Sequence, residues 1–222
     1  MLIQAAREYR EALVDTDRGR ALQVVRAAVG QGVSPETVLF EIVIPSLDWM
    51  LKLADTTGGA SLAQYLMASQ IGAEVTEEMV ARFSAPPEIV GCVVLGTAAG
   101  DFHGLGKRIV RGCLQAMMIE VVDLGLNVSA ERFVEEALRH GAQVIGIAAM
   151  MVHTARGDEG CRKVRSILRE QQLETQIKII VGGAPYRYDP ELYQIVEADV
   201  WAENGIIAGQ IITDLIKGVK KA

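Results

Sequence analysis

Apolar residues recur at helical spacing over the first 84 residues of the chain. A spacing of three to four residues gathers apolar side chains on one face of a helix, so the pattern predicts helices. We expect four of them, at about 2–14, 17–30, 34–53 and 61–83. Four helices with short connections predict a small helical bundle.

Particular residues mark the ends of these helices. The run Ser34-Pro35-Glu36 is a strong start signal, because serine caps, proline suits the first turn and an acid favours the positive end of the helix dipole. Gly30 ends the second helix. Pro45 falls inside the third pattern. Because proline lacks an N–H group, we expect it to kink or restart that helix.

Short continuous apolar runs replace the helical spacing after residue 88. They predict strands near 89–96, 119–123, 143–149, 177–182 and 199–202, with helices between and after them. This alternation predicts a five-stranded, parallel, doubly wound sheet in flavodoxin-like (Rossmann-like) order. The predicted fold class is therefore α + α/β, with a helical domain at 1–84, a linker at 84–88 and an α/β domain at 89–222.

The composition narrows the class of protein. The 222 residues carry a net charge of −6, which argues against nonspecific nucleic-acid binding. No apolar run approaches the roughly 20 residues of a membrane span, and the N-terminus lacks the apolar core of a signal peptide. The three cysteines form no C-x-x-C pair, so neither a disulfide framework nor a zinc site is indicated. We therefore expect a cytoplasmic protein.

One glycine-rich loop at 96–106, GTAAGDFHGLG, follows the first predicted strand and carries Asp101 and His103. It is not a phosphate-binding P-loop, because Arg108 stands where that motif needs serine or threonine. Three uses of the pair stay open at this point. They are acid–base catalysis by His103 with Asp101 as orienter, metal ligation by the histidine with the carboxylate on its other ring nitrogen, and an exposed polar turn.

The predicted topology places a second loop beside this one. The segment 150–154 follows the third strand, and the switch point of a flavodoxin-like sheet lies between the first and third strands. Ligands of open α/β sheets bind in the crevice outside the carboxyl ends of the strands at such a point. We therefore expect the loops 96–106 and 150–154 to flank one crevice.

The motif Asp101-x-His103-x-x-Gly106 resembles the cobalt-ligating motif of the methionine-synthase type of cobalamin-binding domain. Two further blocks similar to that family follow in the same order. One is Gly182-Gly183 after an apolar strand, and the other is ADVWAEN at 198–204. The resemblance covers about residues 1–218 and extends most closely to the free-standing corrinoid proteins of methyltransferase systems.

This resemblance implies a set of roles around the cofactor, cobalamin or a related corrinoid. His103 is the expected cobalt ligand, Asp101 its orienting carboxylate, and Thr154 a hydroxyl that extends the hydrogen-bond chain. A helix N-cap is the competing use of Thr154. The expected cofactor-binding residues are Asp101, His103, Gly104, Gly106, Ala148, Met150, Val152, Thr154, Gly182, Gly183, Glu203 and Asn204.

Two pairs of glycines belong to this set. The resemblance implies that Gly104 and Gly106 let the flat macrocycle approach the backbone, as glycine permits. It also implies that Gly182 and Gly183 leave room for the buried nucleotide tail of the cofactor. Simple turns are the competing use of both pairs.

The segment after the third strand departs from the family pattern. Ala148 and Val152 stand where relatives have a hydrogen-bonding serine and threonine, and Met150 replaces a leucine. A more apolar tail pocket is therefore expected. His153 is unusual in this place. Contact with a phosphate or amide of the cofactor and a plain surface position are equally open for it.

The function implied by the resemblance is that of a methyl carrier, a non-catalytic corrinoid subunit of a methyltransferase system. Its cobalt would accept a methyl group from a substrate:corrinoid methyltransferase. A methylcorrinoid:acceptor methyltransferase would then move the group to an acceptor such as tetrahydrofolate or a thiol, and a reductive activator would restore reduced cobalt. The helical domain would cover the upper face of the corrin through Gln64, Tyr65 or Ala68, which share a helical face.

Two other classes of function stay open on the sequence. One is a cobalamin-dependent sensor or regulator, because such proteins use the same pair of domains. The other is a metalloenzyme in which His103, His153 and Asp101 form a site of two histidines and one carboxylate. A corrinoid spectrum in the purified protein would exclude the second class.

Overall fold

The computed structural model describes residues 1–56, 59–83 and 89–219. The chain divides into two compact units, Met1–Glu88 and Ile89–Ala222. Each unit has its own set of buried apolar side chains. The linker predicted at 84–88 lies outside the described residues.

The described part of the first unit is helical, as predicted. Its elements are α1 (Leu2–Val14), α2 (Arg18–Gly30), α3 (Pro35–Thr37), a π-helical turn (Val38–Val43), α4 (Ile44–Thr56) and α5 (Leu62–Val80). Side-chain caps fix three helix starts, because each satisfies N–H groups that have no partner within the helix. Asp17 accepts from the Arg20 N–H at 2.9 Å, Ser34 accepts from the Thr37 N–H at 3.1 Å, and Ser61 forms a capping box with Gln64.

The third helical pattern is interrupted just before Pro45. The N–H of Ile44 donates to the carbonyl of Leu39, five residues back, at the end of the π-helical turn. A proline ring crowds the carbonyl four residues before it and offers no N–H. A π-helical turn widens the backbone at this place, and the regular α-helix restarts at Ile44.

The second unit alternates strands and helices, and the predicted fold class is confirmed. The strands are β1 (Gly91–Thr97), β2 (Ile119–Gly125), β3 (Val144–Ala148), β4 (Lys178–Gly182) and β5 (Val200–Ala202). The helices are α6 (Leu105–Ala116), α7 (Ala130–His140), α8 (Val152–Arg156), α9 (Cys161–Glu170), α10 (Ala184–Tyr188), α11 (Leu192–Ile195) and α12 (Gly205–Val219).

The five strands form one parallel sheet in the order β2-β1-β3-β4-β5. This is the flavodoxin-like order, and its switch point lies between β1 and β3. The last residues of four strands lie in register across the sheet, since Thr97 pairs with Ala148, Ala148 with Gly182, and Gly182 with Ala202. The loops that follow these four strands therefore begin at the same level of the sheet, along its carboxyl edge.

Helices cover both faces of the sheet. Alternate residues of a strand point to opposite faces. Val94 packs in a cluster with Phe133 of α7 and Leu168 of α9, whereas Val93 packs in a cluster with Leu114 of α6 and Ile212 of α12. Because both faces are buried, the strands read as continuous apolar runs.

Candidate functional site

All twelve predicted site residues lie at the carboxyl edge of the sheet or just beyond it. Those of the Asp101 loop follow β1, those of 148–154 end or follow β3, Gly182 and Gly183 end or follow β4, and Glu203 and Asn204 follow β5. The loops after β1 and β3 are neighbours, as the topology predicted. Hydrogen bonds join these two loops directly.

Asp101 is the centre of that junction. Its carboxylate is buried and receives four hydrogen bonds. Oδ1 accepts from the His103 N–H at 2.9 Å and from His103 Nδ1 at 3.0 Å. Oδ2 accepts from the Met150 N–H and the Thr154 hydroxyl, both at 2.7 Å. The chain His103–Asp101–Thr154 that the sequence predicted is therefore present in the structure.

These donors determine the charge of Asp101. Burial alone would raise the pKa of its carboxyl group. The hydrogen bonds from Met150, His103 and Thr154 outweigh burial, and they lower the pKa from 3.8 to about 2. The carboxylate is therefore ionised at neutral pH and acts only as an acceptor.

His103 gains a defined tautomer from this contact. Because Asp101 can only accept, Nδ1 carries the proton in the neutral ring, and Nε2 keeps its lone pair. The side chain is 56% exposed, whereas that of Asp101 is fully buried. A histidine held in this way is the arrangement that proteins use for metal ligands, with the second nitrogen bonded to a carboxylate.

Thr154 lies in the first turn of α8 and is buried. Its hydroxyl group reaches Asp101 Oδ2 at 2.7 Å and the Met151 carbonyl at 2.9 Å. The residue at the N-cap of α8 is Met151, so the competing use of Thr154 as a helix N-cap is not observed. The hydroxyl instead ties the start of α8 to the loop after β1.

An apolar rim, made of six exposed side chains, follows β1, β2 and β3 at the carboxyl edge that also carries His103. Its members are between 41% and 66% exposed. They are Phe102, Leu105, Leu126, Met150, Met151 and Val152. Six exposed large apolar side chains at the ends of neighbouring strands favour a ligand site at this edge.

Three of the predicted glycines differ in whether the fold requires glycine at their position. A Cβ on Gly106 would have no atom within 4 Å, so nothing in the fold requires glycine there. A Cβ on Gly104 would lie 3.0 Å from Leu126. Gly183 has φ +121°, and its Cβ would lie 1.9 Å from the Ala149 carbonyl oxygen. Gly183 is thus required by the fold itself, whereas Gly106 leaves open space beside the His103 loop.

The predicted residues after β5 are also used within the fold. The Asn204 Oδ1 accepts from the Ile207 N–H at 3.0 Å at the start of α12, and Glu203 pairs with Arg187 at 3.3 Å. β5 lies three strands away from β1 in the sheet. In the described parts of the chain no hydrogen bond connects these two residues with His103.

Two polar residues near the site were missed by sequence reasoning. Thr97 and Asn127 hold the main chain around Asp101 through hydrogen bonds of 2.6 to 3.0 Å. The only sequence signal for Asn127 is its place in the turn Gly125-Leu126-Asn127 after a strand, because asparagine tolerates the left-handed backbone of such turns. Thr97 carries no signal beyond its position at the end of β1.

An ion pair made by a buried lysine was missed as well. Lys107, in the first turn of α6, pairs with Asp123 near the end of β2. Burial would raise the pKa of Asp123, but hydrogen bonds from Lys107 and from the Gly125 N–H lower it. The pair holds the first turn of α6, which contains Gly106, against β2.

The predicted alternative of a site with two histidines and one carboxylate is not formed. His153 is exposed near the start of α8, and both oxygens of Asp101 are occupied by donors. Over the described ranges, no three histidine, cysteine, aspartate or glutamate side chains are grouped so that they could hold a metal ion. A corrinoid, whose macrocycle supplies most ligands of its metal, fits this site better, because it needs only the Nε2 of His103.

Sequence comparisons agree with this interpretation. The B12 binding domain family matches residues 91–208, more than half of the chain. Dimethylamine corrinoid protein 2 of Methanosarcina mazei is 32% identical over 82% of this chain and 77% of that protein. Dimethylamine corrinoid protein 1 of the same organism is 30% identical over 95% of each. The chain belongs to the B12-binding domain family, among the corrinoid proteins of methyltransferase systems, and its predicted corrinoid cofactor is confirmed.

Two solved structures show the same fold. A cobalamin-binding protein from Desulfitobacterium hafniense DCB-2 has a TM-score of 0.74 at 21% identity, covering 97% of this chain and 98% of that one. A chain of the methanol:cobalamin methyltransferase complex from Methanosarcina barkeri has a TM-score of 0.74 at 23% identity, with 97% and 80% covered. Along the described stretches of the chain, no helix is long and apolar enough to cross a membrane.

Proposed function

We propose that the protein carries a methyl group on the cobalt of its corrinoid, taking it from one methyltransferase and delivering it to a second. The observation that carries this proposal is the His103–Asp101–Thr154 chain at the switch point of the sheet. It leaves one imidazole nitrogen at an apolar surface. The relatives named dimethylamine and trimethylamine corrinoid proteins support the same function and favour a methylated amine as the methyl source.

His103 would hold the cobalt through Nε2. Asp101 keeps the proton on Nδ1 and raises the basicity of the ligating nitrogen. Met150 and Thr154 hold the carboxylate from the neighbouring loop. A corrinoid supplies a metal centre that accepts a methyl group in its reduced state and gives it up to a nucleophile. This chain would therefore bind the corrinoid, orient the ligating imidazole and tune the basicity of its Nε2.

The apolar rim and the glycines would determine how the macrocycle packs against the protein. Exposed apolar side chains of the rim, such as Phe102 and Met150, would contact the flat ring and exclude water from it. Gly106 would let the ring approach the start of α6, because nothing lies within 4 Å of the place of its Cβ. Ala148, Val152, Gly182, Gly183, Glu203 and Asn204 would surround the nucleotide tail.

Separate proteins would supply the methyl donor and acceptor. A chain of similar fold comes from a methanol:cobalamin methyltransferase complex, which supports a methyltransferase as partner. We assign to a second methyltransferase the transfer to an acceptor such as tetrahydrofolate or a thiol. A reductive activator would restore cobalt that has lost an electron.

The test is whether His103 binds cobalt. The full chain, labelled with ¹⁵N-histidine, is loaded with cobalamin and reduced to the Co(II) state, and its EPR spectrum is recorded. The wild type is expected to show coupling of cobalt to a ¹⁵N nucleus. His103→Ala is expected to lose that coupling, whereas the control His153→Ala keeps it.

Three results would contradict the proposal. Coupling that persists in His103→Ala would show that another histidine is the ligand. Failure of the wild type to take up cobalamin at all would remove the carrier function. Cobalamin that binds with His103 ligated but is methylated by no partner methyltransferase would contradict the carrier function and favour the alternative of a corrinoid-binding sensor.

A further inference from the structure

Asn127, in the loop between β2 and α7, contacts the main chain of the His103 loop at two places. Its side-chain Oδ1 accepts from the Gly100 N–H at 2.7 Å. Its own N–H is shared between the Thr97 hydroxyl oxygen at 2.9 Å and the Asp101 carbonyl oxygen at 3.0 Å. One residue thus holds the backbone before and after the buried carboxylate.

Thr97 completes this clamp from the end of β1. Its side chain is fully buried, and its hydroxyl donates to the Asp101 carbonyl at 2.6 Å while accepting from the Asn127 N–H. The Thr97 carbonyl accepts from the Val128 N–H at 3.1 Å. Because Thr97 belongs to β1, which pairs with a strand on each side, the clamp is tied to an interior strand of the sheet.

The backbone conformation makes Asn127 hard to replace. Its φ is +52°, in the left-handed region that asparagine tolerates better than most residues. The preceding residue, Leu126, packs against Gly104, since a Cβ added there would lie 3.0 Å from a Leu126 methyl group. Leu126 and Asn127 therefore contact the segment 100–104 both before and after His103.

Asp101 joins two loops through different groups. Its main chain is held by Thr97 and Asn127, and its carboxylate by Met150 and Thr154. The direction of the carboxylate depends on where the main chain is fixed. A shift of that backbone would move both the acceptor and the ring that it orients.

We propose that Asn127, acting with Thr97, is a positioning residue for the cobalt ligand. It fixes the backbone of Asp101, so that the carboxylate holds His103 in the orientation needed for ligation. This inference rests on the proposed function, since it concerns ligation by His103. The loop after β2 thus supports the ligand His103 indirectly, through the backbone of Asp101.

Three substitutions separate the side-chain bond from the backbone conformation. Asn127→Gly keeps the left-handed backbone but loses the acceptor for the Gly100 N–H. Asn127→Asp keeps an acceptor and also tolerates the left-handed region. Asn127→Ala loses the acceptor and strains the backbone as well. Ile212→Val, in the core on α12, serves as a control for general loss of stability.

The measurement is the ratio of histidine-ligated to unligated cobalt in the full chain loaded with cobalamin. It is read from the ¹⁵N coupling of the Co(II) EPR spectrum. We expect Asn127→Gly to lower the ratio about 2- to 10-fold, the effect of one hydrogen bond. Asn127→Ala should lower it further, and Asn127→Asp should stay close to the wild type. Ile212→Val should lower the melting temperature without changing the ratio.

A second measurement needs no cofactor. In the apoprotein, exchange of the Gly100 amide hydrogen should be faster in Asn127→Gly and close to wild type in Asn127→Asp. The inference is overturned if Asn127→Gly keeps the wild-type ratio, or if Ile212→Val lowers the ratio as much. A wild type that lacks histidine coupling would overturn the proposed ligand, and this inference with it, so the two failures are distinguishable.

Discussion

The carboxyl edge of the sheet has two halves that use their polar and small residues differently. In the half after β1 and β3, the buried Asp101 receives four hydrogen bonds and presents a half-exposed His103. In the half after β4 and β5, Gly183 packs against the backbone of Ala149, and Asn204 caps α12. The first half presents a polar group at the surface, whereas Gly183 and Asn204 of the second half already make contacts within the fold.

This difference shows why residue types alone do not separate ligand contacts from structural ones. A buried carboxylate is costly unless donors surround it, and the four donors around Asp101 both satisfy its charge and fix its direction toward His103. A glycine with a positive φ and a close backbone neighbour has a sufficient reason in the fold. Substitutions that act on one half and spare the other therefore test the division.

The largest effect is expected from Gly183→Ala. The new Cβ would lie 1.9 Å from the Ala149 carbonyl oxygen, at a φ of +121° that only glycine adopts readily. Overpacking and backbone strain together should lower the free energy of unfolding by roughly 3 kcal/mol or more. Urea unfolding of the apoprotein, followed by circular dichroism, measures this loss.

The matched control is Gly182→Ala, whose Cβ would lie 3.2 Å from the Ala202 carbonyl oxygen without a positive φ. Its loss of stability should be clearly smaller. Equal stability of Gly183→Ala and the wild type would show that Gly183 is not required by the fold, and the division between the two halves would fail.

A smaller effect is expected from Asp101→Asn, and it should depend on pH. Two of the four partners are main-chain N–H groups, one on each carboxylate oxygen. An amide group must therefore turn its NH₂ toward one of these donors. The folded-state pKa of Asp101 is lowered to about 2, so its ionised form stabilises the native state above the unfolded pKa of about 4. This stabilisation, roughly 2 kcal/mol, is lost as the pH falls from 4 toward 2.

Urea unfolding of the wild type and Asp101→Asn at pH 7 and at pH 3 measures this dependence. The difference in stability between the two proteins should be largest at pH 7 and should shrink at pH 3. Asp158→Asn, at an exposed position, is the control for loss of an acidic charge. A difference that stays constant from pH 7 to pH 3 would contradict the lowered pKa. In the cobalamin-loaded protein, Asp101→Asn should weaken histidine ligation about 10- to 100-fold.

The sequence predicted the fold for physical reasons that can be named. Strands buried on both faces give continuous apolar runs, and caps such as Ser34 and Ser61 mark helix starts. The switch point follows from the strand order, so the meeting of the loops after β1 and β3 followed from topology. The hydrogen-bond chain from His103 to Thr154 was expected from the family resemblance, and the meeting of these two loops is what allows it to form.

The residue pairs that hold the loops around this hydrogen-bond chain could not be predicted from the sequence. Asn127 and Gly100 are 27 positions apart, and Lys107 and Asp123 are 16 apart, so their pairing depends on how strands and helices pack. Neither pair forms a motif of fixed spacing. Nothing in the sequence distinguishes Gly183, which the backbone of Ala149 requires, from Gly106, which has open space around it.

A further prediction concerns Thr154 and has a smaller expected effect. Thr154→Val keeps the shape of the side chain but removes the donor to Asp101 Oδ2. A hydrogen bond to a charged acceptor contributes roughly 1.5 kcal/mol or more, and Asp101 keeps three other donors, so the free energy of unfolding and the histidine ligation of cobalt should both fall modestly. Thr154→Ser keeps the hydroxyl and is the control. If Thr154→Val weakens ligation more than Asp101→Asn, Thr154 has a role beyond supporting the carboxylate.

Gly106→Ala is expected to have the smallest effect on stability. It should also separate most clearly the effect on the fold from the effect on cobalamin binding. Gly106 lies in the first turn of α6, and an added Cβ meets no atom within 4 Å. Alanine is the better helix former, so the apoprotein should gain up to about 1 kcal/mol. If the corrin ring occupies this open space, the same methyl group should weaken cobalamin binding.

Gly218→Ala provides the matched control for this substitution. Gly218 lies near the end of α12, which starts after β5, and its added Cβ also meets no atom within 4 Å. Both substitutions should therefore leave the fold intact or slightly stabilise it. Only Gly106→Ala should raise the dissociation constant of cobalamin, measured by titration of the apoprotein. Equal affinity in the two variants would show that the ring does not approach α6 at Gly106, and the space there would have another use.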